Sequence, residues 1–311
     1  MSRFGPDEPP ARPIVAVLGP TATGKSALAV ALAQRLAGEV VNADAMALYR
    51  GMDIGTAKPT LAERRGIPHH QLDVLDVTEE ASVAVYQRDA RADLVDIATR
   101  GRTGVLAGGS GLYVRAVLDR FDIPPTDPAL RQRLEADLLA TGTAALHERL
   151  AAVDPAAAAS IDPRNGRRVV RALEVVTLTG RPYAATLPDR EYLAPTVTIG
   201  LHLDLDTLDR RIEARVARMW AEGLLDEVAR LVEAGLARGR TARTALGYAQ
   251  ALDQLAGRID EAQARSLTTT ATRRFARRQL SWLRPDPRIT WLPADAPDLV
   301  DQALRVVGEN G

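Results

Sequence analysis

The stretch IVAVLGPTATGKS, residues 14–26, decides the fold. Ile14–Leu18 is a short unbroken apolar run, the pattern of a parallel strand buried on both faces. Gly19-Pro20-Thr21-Ala22-Thr23-Gly24-Lys25-Ser26 fits G-x-x-x-x-G-K-[ST], and Ser26–Ala37 continues as an Ala- and Leu-rich helix. Strand, loop and helix stand in the register of a phosphate loop. The glycines let backbone N–H groups turn inward, and the helix N-terminus adds its dipole. Lys25 supplies a point charge and the Ser26 hydroxyl a ligand for Mg²⁺. The motif specifies a polyphosphate without saying which one.

Working outward, Glu39–Ala43 and Gly104–Ala107 read as further short strands, with Ser82–Thr99 a helix before the latter. This alternation predicts an α/β fold with a P-loop, doubly wound parallel sheet as its core. Thr196–Leu203 and Arg288–Leu292 are later strand candidates. Thr207–Ala237 reads as a long helical stretch broken near Gly223, and Asp260–Leu283 as the final helix. Between residues 123 and 195 the character changes. The turn-rich IPPTDP leads into three helix-like stretches, 129–140, 143–152 and 164–178. The expected organisation is a core of 13–122 and 196–311, an all-helical insertion over 123–195, and a disordered Pro-rich lead-in over 1–12.

The 40 Lys+Arg balance 40 Asp+Glu, so the whole-molecule field does not point to a polyanion. The charges are nevertheless segregated. Residues 164–190 carry six Arg against Glu174 and Asp189, and residues 262–288 carry seven Arg against Asp286. A local basic face is enough for RNA, although a solvated helix face explains any one cluster equally well. The absence of cysteine excludes disulfides, thiolate nucleophiles and iron–sulfur clusters. Lys25 and Lys58 are the only lysines, and both lie in phosphate-binding candidates. No apolar run approaches the ~20 residues of a membrane helix, and the N-terminus lacks the apolar stretch of a signal peptide. The expected location is the cytoplasm.

The strand at 104–107 ends in Gly108-Gly109-Ser110-Gly111, not in the Asp that positions Mg²⁺ in kinases and ATPases. The acid lies instead at the end of the second strand, at Asp44. In an open α/β sheet that position faces the ligand crevice, though an N-cap is the plainer role. The Gly-punctuated loop 51–59 would bring Lys58 and Thr56 to the same phosphates, unless it is a surface turn. His69 and His70 lack the partner motif of a metal site and read as local structure. Trp220, Trp282 and Trp291 read as packing residues, with one of them available to stack on a base.

The blocks VVNADAMALYRGMDIGTAKP (40–59), GIPHHQLD (66–73), SVAVYQRDA (82–90), LAGGSGLYVRAV (106–117), RRVVRALEV (167–175) and ARRQLSWLR (276–284) resemble, in order, those of the bacterial tRNA dimethylallyltransferase family. The resemblance covers roughly residues 13–295 and implies a P-loop core with a helical insertion. It implies transfer of the dimethylallyl group of dimethylallyl diphosphate to N6 of the adenosine at tRNA position 37. Asp44 would be the general base. Gly19–Ser26, with Lys58 and Arg215, would hold the diphosphate, and Mg²⁺ would sit on Ser26. Ser110 would lie by the base, which must be extruded from the anticodon-loop stack. Contacts to tRNA would come from Asp44, Ala45, Met46, Ala47, Ser110, Arg131, Arg167, Arg168, Arg171, Thr244, Gly247, Tyr248, Arg277 and Arg278. The family form is a monomer.

The chain departs from the family pattern at four places. Ala45 replaces a Ser, Ser110 a Thr, Gly111 an aromatic or Met, and Ala249 a basic residue. The competing readings are a P-loop nucleotide kinase, an isopentenyltransferase acting on free adenine nucleotides, and a non-catalytic RNA-binding module. The missing strand-end Asp speaks against the first, the insertion and Arg clusters against the second, and an intact phosphate loop opposite Asp44 against the third.

Overall fold

Among the described residues six strands, β1 (Ile14–Leu18), β2 (Gly38–Ala43), β3 (His69–His70), β4 (Thr103–Gly108), β5 (Thr196–His202) and β6 (Ile289–Pro293), pair in parallel in the order β3-β2-β4-β1-β5-β6. The computed structural model describes residues 12–120, 123–183 and 189–310. All of the lead-in expected at 1–12 except Arg12 lies outside them. The helices are α1 (Lys25–Arg35), α2 (Leu61–Arg64), α3 (Val83–Thr99), α4 (Gly111–Leu118), α5 (Pro128–Val153), α6 (Pro155–Ser160), α7 (Gly166–Thr179), α8 (Leu205–Ala221), α9 (Leu224–Glu233), α10 (Tyr248–Leu255), α11 (Glu261–Leu283) and α12 (Leu299–Asn310).

The continuous apolar run of β1 follows from cover on both sheet faces. Val15 and Val17 pack with Leu28 and Leu32 of α1 and Ala303 and Val306 of α12. Ala16 and Leu18 point the other way, among Tyr86, Leu94 and Ile97 of α3 and Val114 and Val117 of α4. The alternation is the two-residue period of a strand. Ser82 starts α3 by accepting the Val85 N–H, and Asp260 starts α11 through a capping box with Gln263. The expected break near Gly223 is present: its φ of +93° ends one helix and begins the next. Asp260–Leu283 is not the last helix, because α12 follows β6 and covers the sheet. β3 and α10 had not been anticipated, the former being too short to show a period. No helix among the described residues is long and apolar enough to cross a membrane.

The chain divides into two compact units. One contains the chain up to Asp119 and from Glu191 onward, and holds the sheet. The other is Arg120–Arg190. Within the second, α5 is interrupted at Gly142 (φ 81°, ψ 168°), where the sequence divides two helical stretches. Leu134, Leu146, Leu150, Val169 and Leu173 make its own core. At the edge of that core sits Glu174, fully buried. It accepts the Thr126 hydroxyl at 2.7 Å, the Asp127 N–H at 3.0 Å, Arg171 at 2.7 Å, and Arg131. Arg171 also donates to the carbonyls of Pro124 and Pro125. Arg131 and Arg171, expected to contact tRNA, are partners of this one buried carboxylate and remain partly exposed. An unpaired buried charge is too costly to leave.

Burial pushes the Glu174 carboxyl up, but hydrogen bonds from Arg131, Thr126 and Arg171 outweigh it and hold it at about 2. A depressed carboxylate contributes stability above its unfolded value, near 4.3, and loses it as pH falls toward the folded value. Denaturant unfolding of the full chain should show stability dropping between about pH 4.5 and pH 2. Glu174→Ala should remove about 3–5 kcal/mol at pH 7 and flatten that dependence.

Candidate functional site

The C-terminal ends of β1, β2 and β4 bring the chemistry-bearing loops to one edge of the sheet. The β1 loop turns sharply because Gly19 adopts φ +153° against the neighbouring strand. A Cβ there would lie 2.8 Å from the Leu201 carbonyl oxygen, so nothing larger fits. Ala22 is also left-handed, at φ 66°, and is held by packing against the Leu203, Leu208 and Ala276 cluster. Thr23 donates its hydroxyl to the Pro20 carbonyl at 2.8 Å, and Lys25 its ammonium to the same oxygen at 2.7 Å. Ser26, in the first turn of α1, is exposed.

Asp44 follows β2. The Asn42 side chain fixes its backbone by accepting its N–H at 3.0 Å and donating to its carbonyl at 2.9 Å. Asp44 Oδ1 accepts the Met46 N–H at 2.9 Å and so closes a turn, with no helix there for it to cap, while the carboxylate charge acts on Lys25 and Arg215. Below it lie Tyr86 and Tyr113, their rings 4.7 Å apart. The Tyr113 phenol is pushed up to about 12 by burial, with help from Tyr49 and Asp44. Ala45 and Met46 are half-buried and Ala47 is buried.

Arg215 on α8 reaches into the site and is not a surface arginine. It donates from Nη1 to the Thr21 hydroxyl at 2.7 Å and from Nη2 to the Thr56 carbonyl at 3.1 Å, while its buried Nε has no protein partner. Burial lowers its pKa against the pull of Asp44. Burial also lowers Lys25, to about 8, with Asp44 opposing and Arg215 reinforcing. The Asp44 carboxylate thus acts electrostatically on two largely desolvated cations beside the loop after β1, a set of groups suited to an anion and to a proton in transit. Ser110 stands half-buried at the start of α4, its side chain not used as a cap.

Lys58 is not part of this set. Its three donors are spent on Asp53 at 2.6 Å, Asp73 at 2.6 Å and the Tyr49 carbonyl at 2.8 Å, and its side chain is 2% exposed. The loop it belongs to is held by a residue the sequence reading missed. Glu227, buried on α9, accepts the N–H groups of Asp53 at 3.2 Å and Ile54 at 2.9 Å, and the Tyr248 hydroxyl at 2.6 Å. The convergent amides that would bind a phosphate already bind this carboxylate. Tyr248, expected at the RNA, is fully buried and packs on Gly55. Gly247 (φ +87°) begins α10, with its N–H on Gln250, and the exposed Thr244 donates to the Thr241 carbonyl.

On α11, Arg277 is exposed but paired with Asp209 of α8 at 2.9 Å, and the exposed Arg278 lies over the Phe275 ring at 5.9 Å. Arg167 and Arg168 are exposed on α7 of the second unit. Gly111 does not leave open space: a Cβ there would be 2.9 Å from Trp282, whose ring covers it. Trp220 donates to Gln254, and Trp291 packs on Gly200. His69 meets the Ile67 carbonyl at 2.8 Å and His70 meets Glu39 at 2.7 Å. Among the described residues, no group of three or more His, Cys, Asp or Glu could hold a metal ion.

Glu227 shares a signal with a second missed residue, Gln279. Each is a polar side chain in an otherwise apolar helical stripe: Leu224, Glu227, Val228, Leu231 on α9, and Ala276, Gln279, Leu280, Leu283 on α11. A polar residue at a core-facing position must have partners, and these are found on the site's loops.

The family described as IPP transferase matches residues 47–286. A tRNA dimethylallyltransferase of Salinispora tropica is 63% identical over 94% of this chain and 92% of its own length. The crystal structure of the tRNA isopentenylpyrophosphate transferase of Bacillus halodurans superposes with a TM-score of 0.70 at 40% identity, covering 96% of this chain and 95% of the other. A eukaryotic dimethylallyltransferase, solved acting on tRNA, gives a TM-score of 0.77 at 26% identity, over 95% of this chain and 77% of its own.

Two outcomes follow from the geometry. Affinity for inorganic diphosphate, measured by calorimetry, should fall by about one order of magnitude as pH rises through 8 and Lys25 loses its proton. Lys25→Arg should remove that inflection, because its guanidinium stays charged. Tyr248→Phe should cost about 1.5–3 kcal/mol in denaturant unfolding, since it deletes a hydrogen bond to a buried carboxylate.

Proposed function

The chain belongs to the tRNA dimethylallyltransferase (IPP transferase) family, and from that premise we propose that it transfers the dimethylallyl group of dimethylallyl diphosphate to N6 of the adenosine at position 37 of tRNA. The observation that carries the mechanism is Asp44 facing Lys25 and Arg215 beside the phosphate loop. The allylic C–O bond breaks and its electron pair leaves with the diphosphate. The loop amides, Lys25 and Arg215 stabilise that growing charge. The N6 lone pair forms the new C–N bond, and the N6 proton passes to the Asp44 carboxylate.

Mg²⁺ fits the residues present. An exposed Ser26 hydroxyl, with no cage of acids around it, suits an ion that keeps several waters and takes phosphate oxygens for the rest. Held through Ser26, the ion would neutralise charge on the leaving diphosphate. The exposed Arg167, Arg168 and Arg278 are available to meet tRNA phosphates. The same reading makes the enzyme a cytoplasmic monomer.

Incubation with labelled dimethylallyl diphosphate, Mg²⁺ and either unmodified tRNA or free AMP tests the reading. Label should enter tRNA at A37. Transfer to AMP alone, or no transfer to either, would sink it. Asp44→Asn should lower the single-turnover rate roughly 10²–10⁴-fold, while diphosphate affinity stays close to wild type. A near-wild-type rate would remove Asp44 as the base.

A further inference from the structure

Thr21, in the phosphate loop, is gripped twice from far along the chain. Its hydroxyl accepts a hydrogen bond from Arg215, and its backbone N–H donates to Gln279 Oε1 at 2.9 Å. Gln279 is 4% exposed, on the core-facing side of α11. Its Nε2 packs directly on Gly109, so closely that a Cβ at Gly109 would collide with it. That Cβ would also lie 2.6 Å from the Gly19 carbonyl oxygen. The carboxamide therefore fills the gap between the loop after β1, which carries Gly19 and Thr21, and the loop after β4, which carries Gly109 and Ser110. A buried amide among Ala276, Leu280 and Leu283 is unfavourable unless its hydrogen bonds are met, and the acceptor bond is met on the phosphate loop itself.

We propose that Gln279 is a positioning residue for the transfer reaction. It fixes the entry of the phosphate loop against the β4 strand end, and so sets the diphosphate cradle at a constant distance from Ser110. Because α11 also carries Trp282 over Gly111, one helix braces both sides of that gap, three residues apart. The assignment rests on the reading that the loop holds dimethylallyl diphosphate.

The full chain is compared as wild type, Gln279→Met, which keeps the length but not the acceptor, and Gln279→Glu, which keeps the acceptor and adds a charge. In Gln279→Met, hydrogen exchange at the Thr21 amide should accelerate about tenfold or more while β1 amides keep their protection. The KM for dimethylallyl diphosphate should rise about tenfold with little change in the KM for tRNA. Gln279→Glu should keep Thr21 protected yet weaken inorganic diphosphate binding about tenfold, through repulsion near the cradle. Combined with Arg215→Lys, Gln279→Met should add less than its separate effect, because both act through Thr21. Unchanged Thr21 exchange in Gln279→Met overturns the proposal, as do additive effects or equal losses for both substrates. If Gln279→Met does not fold, Gln279→Asn, whose shorter side chain cannot reach the Thr21 N–H, takes its place, and unchanged Thr21 exchange there overturns it. A wild-type chain that transfers no label overturns the functional reading instead, and the exchange result still decides whether Gln279 holds the loop.

Discussion

The constraint on which the rest depends is the complete burial of β1 between β4 and β5 in a sheet covered on both faces. A strand in that position has no free edge and no solvent face, so its register cannot slip without breaking the packing of both apolar layers and drawing flanking residues into the sheet. With all strands parallel, every strand ends at the same rim. Gly19, Asp44 and Ser110 become neighbours because three strands finish level, although they are far apart in sequence. Close approach then does the fine adjustment. Gly19 meets Leu201, Gly109 meets Gln279 and Gly111 meets Trp282, each contact possible only without a side chain.

Much of this was legible. The strand, loop and helix of residues 14–37 announce themselves by an unbroken apolar run and a glycine pattern. The helical stretches at 129–140, 143–152 and 164–178 show in their composition, including the break that the structure places at Gly142. The family followed from six ordered blocks, and the comparisons agree with it. Partnership was not legible. That Arg131 and Arg171 share Glu174 could not be read, because a guanidinium in sequence carries no sign of whom it faces. Tyr248 looks exposed in a Thr-Ala-Leu-Gly-Tyr segment until α9 brings Glu227 to its hydroxyl. Three-dimensional neighbours 21 and 43 residues apart leave no local period to read.

The lysines make the same point. In a chain whose other basic residues are all arginine, Lys25 and Lys58 sit where a compact, three-donor ammonium is required. Lys25 lies in the phosphate loop with its pKa lowered by burial. Lys58 answers two carboxylates and a carbonyl converging from different directions, which a planar guanidinium would not match. The same residue type stands in a glycine-rich loop in one case and makes an internal tie in the other. Only the count of occupied donors separates them.

The sheet-bearing unit closes on itself where the chain leaves and returns. Asp119 bridges Tyr192 in antiparallel fashion, and the Leu193 N–H donates to the Leu118 carbonyl at 2.7 Å. Arg288 pairs with Asp119 at 2.8 Å and lies over the Tyr192 ring at 3.8 Å. The departure and return points are thus held side by side by the core's own bonds. In polymer terms, whatever is threaded between them is a loop with its ends already joined. The entropy of closing such a loop grows only with the logarithm of its length. The cost to the sheet of closing the intervening segment therefore grows only slowly with that segment's length.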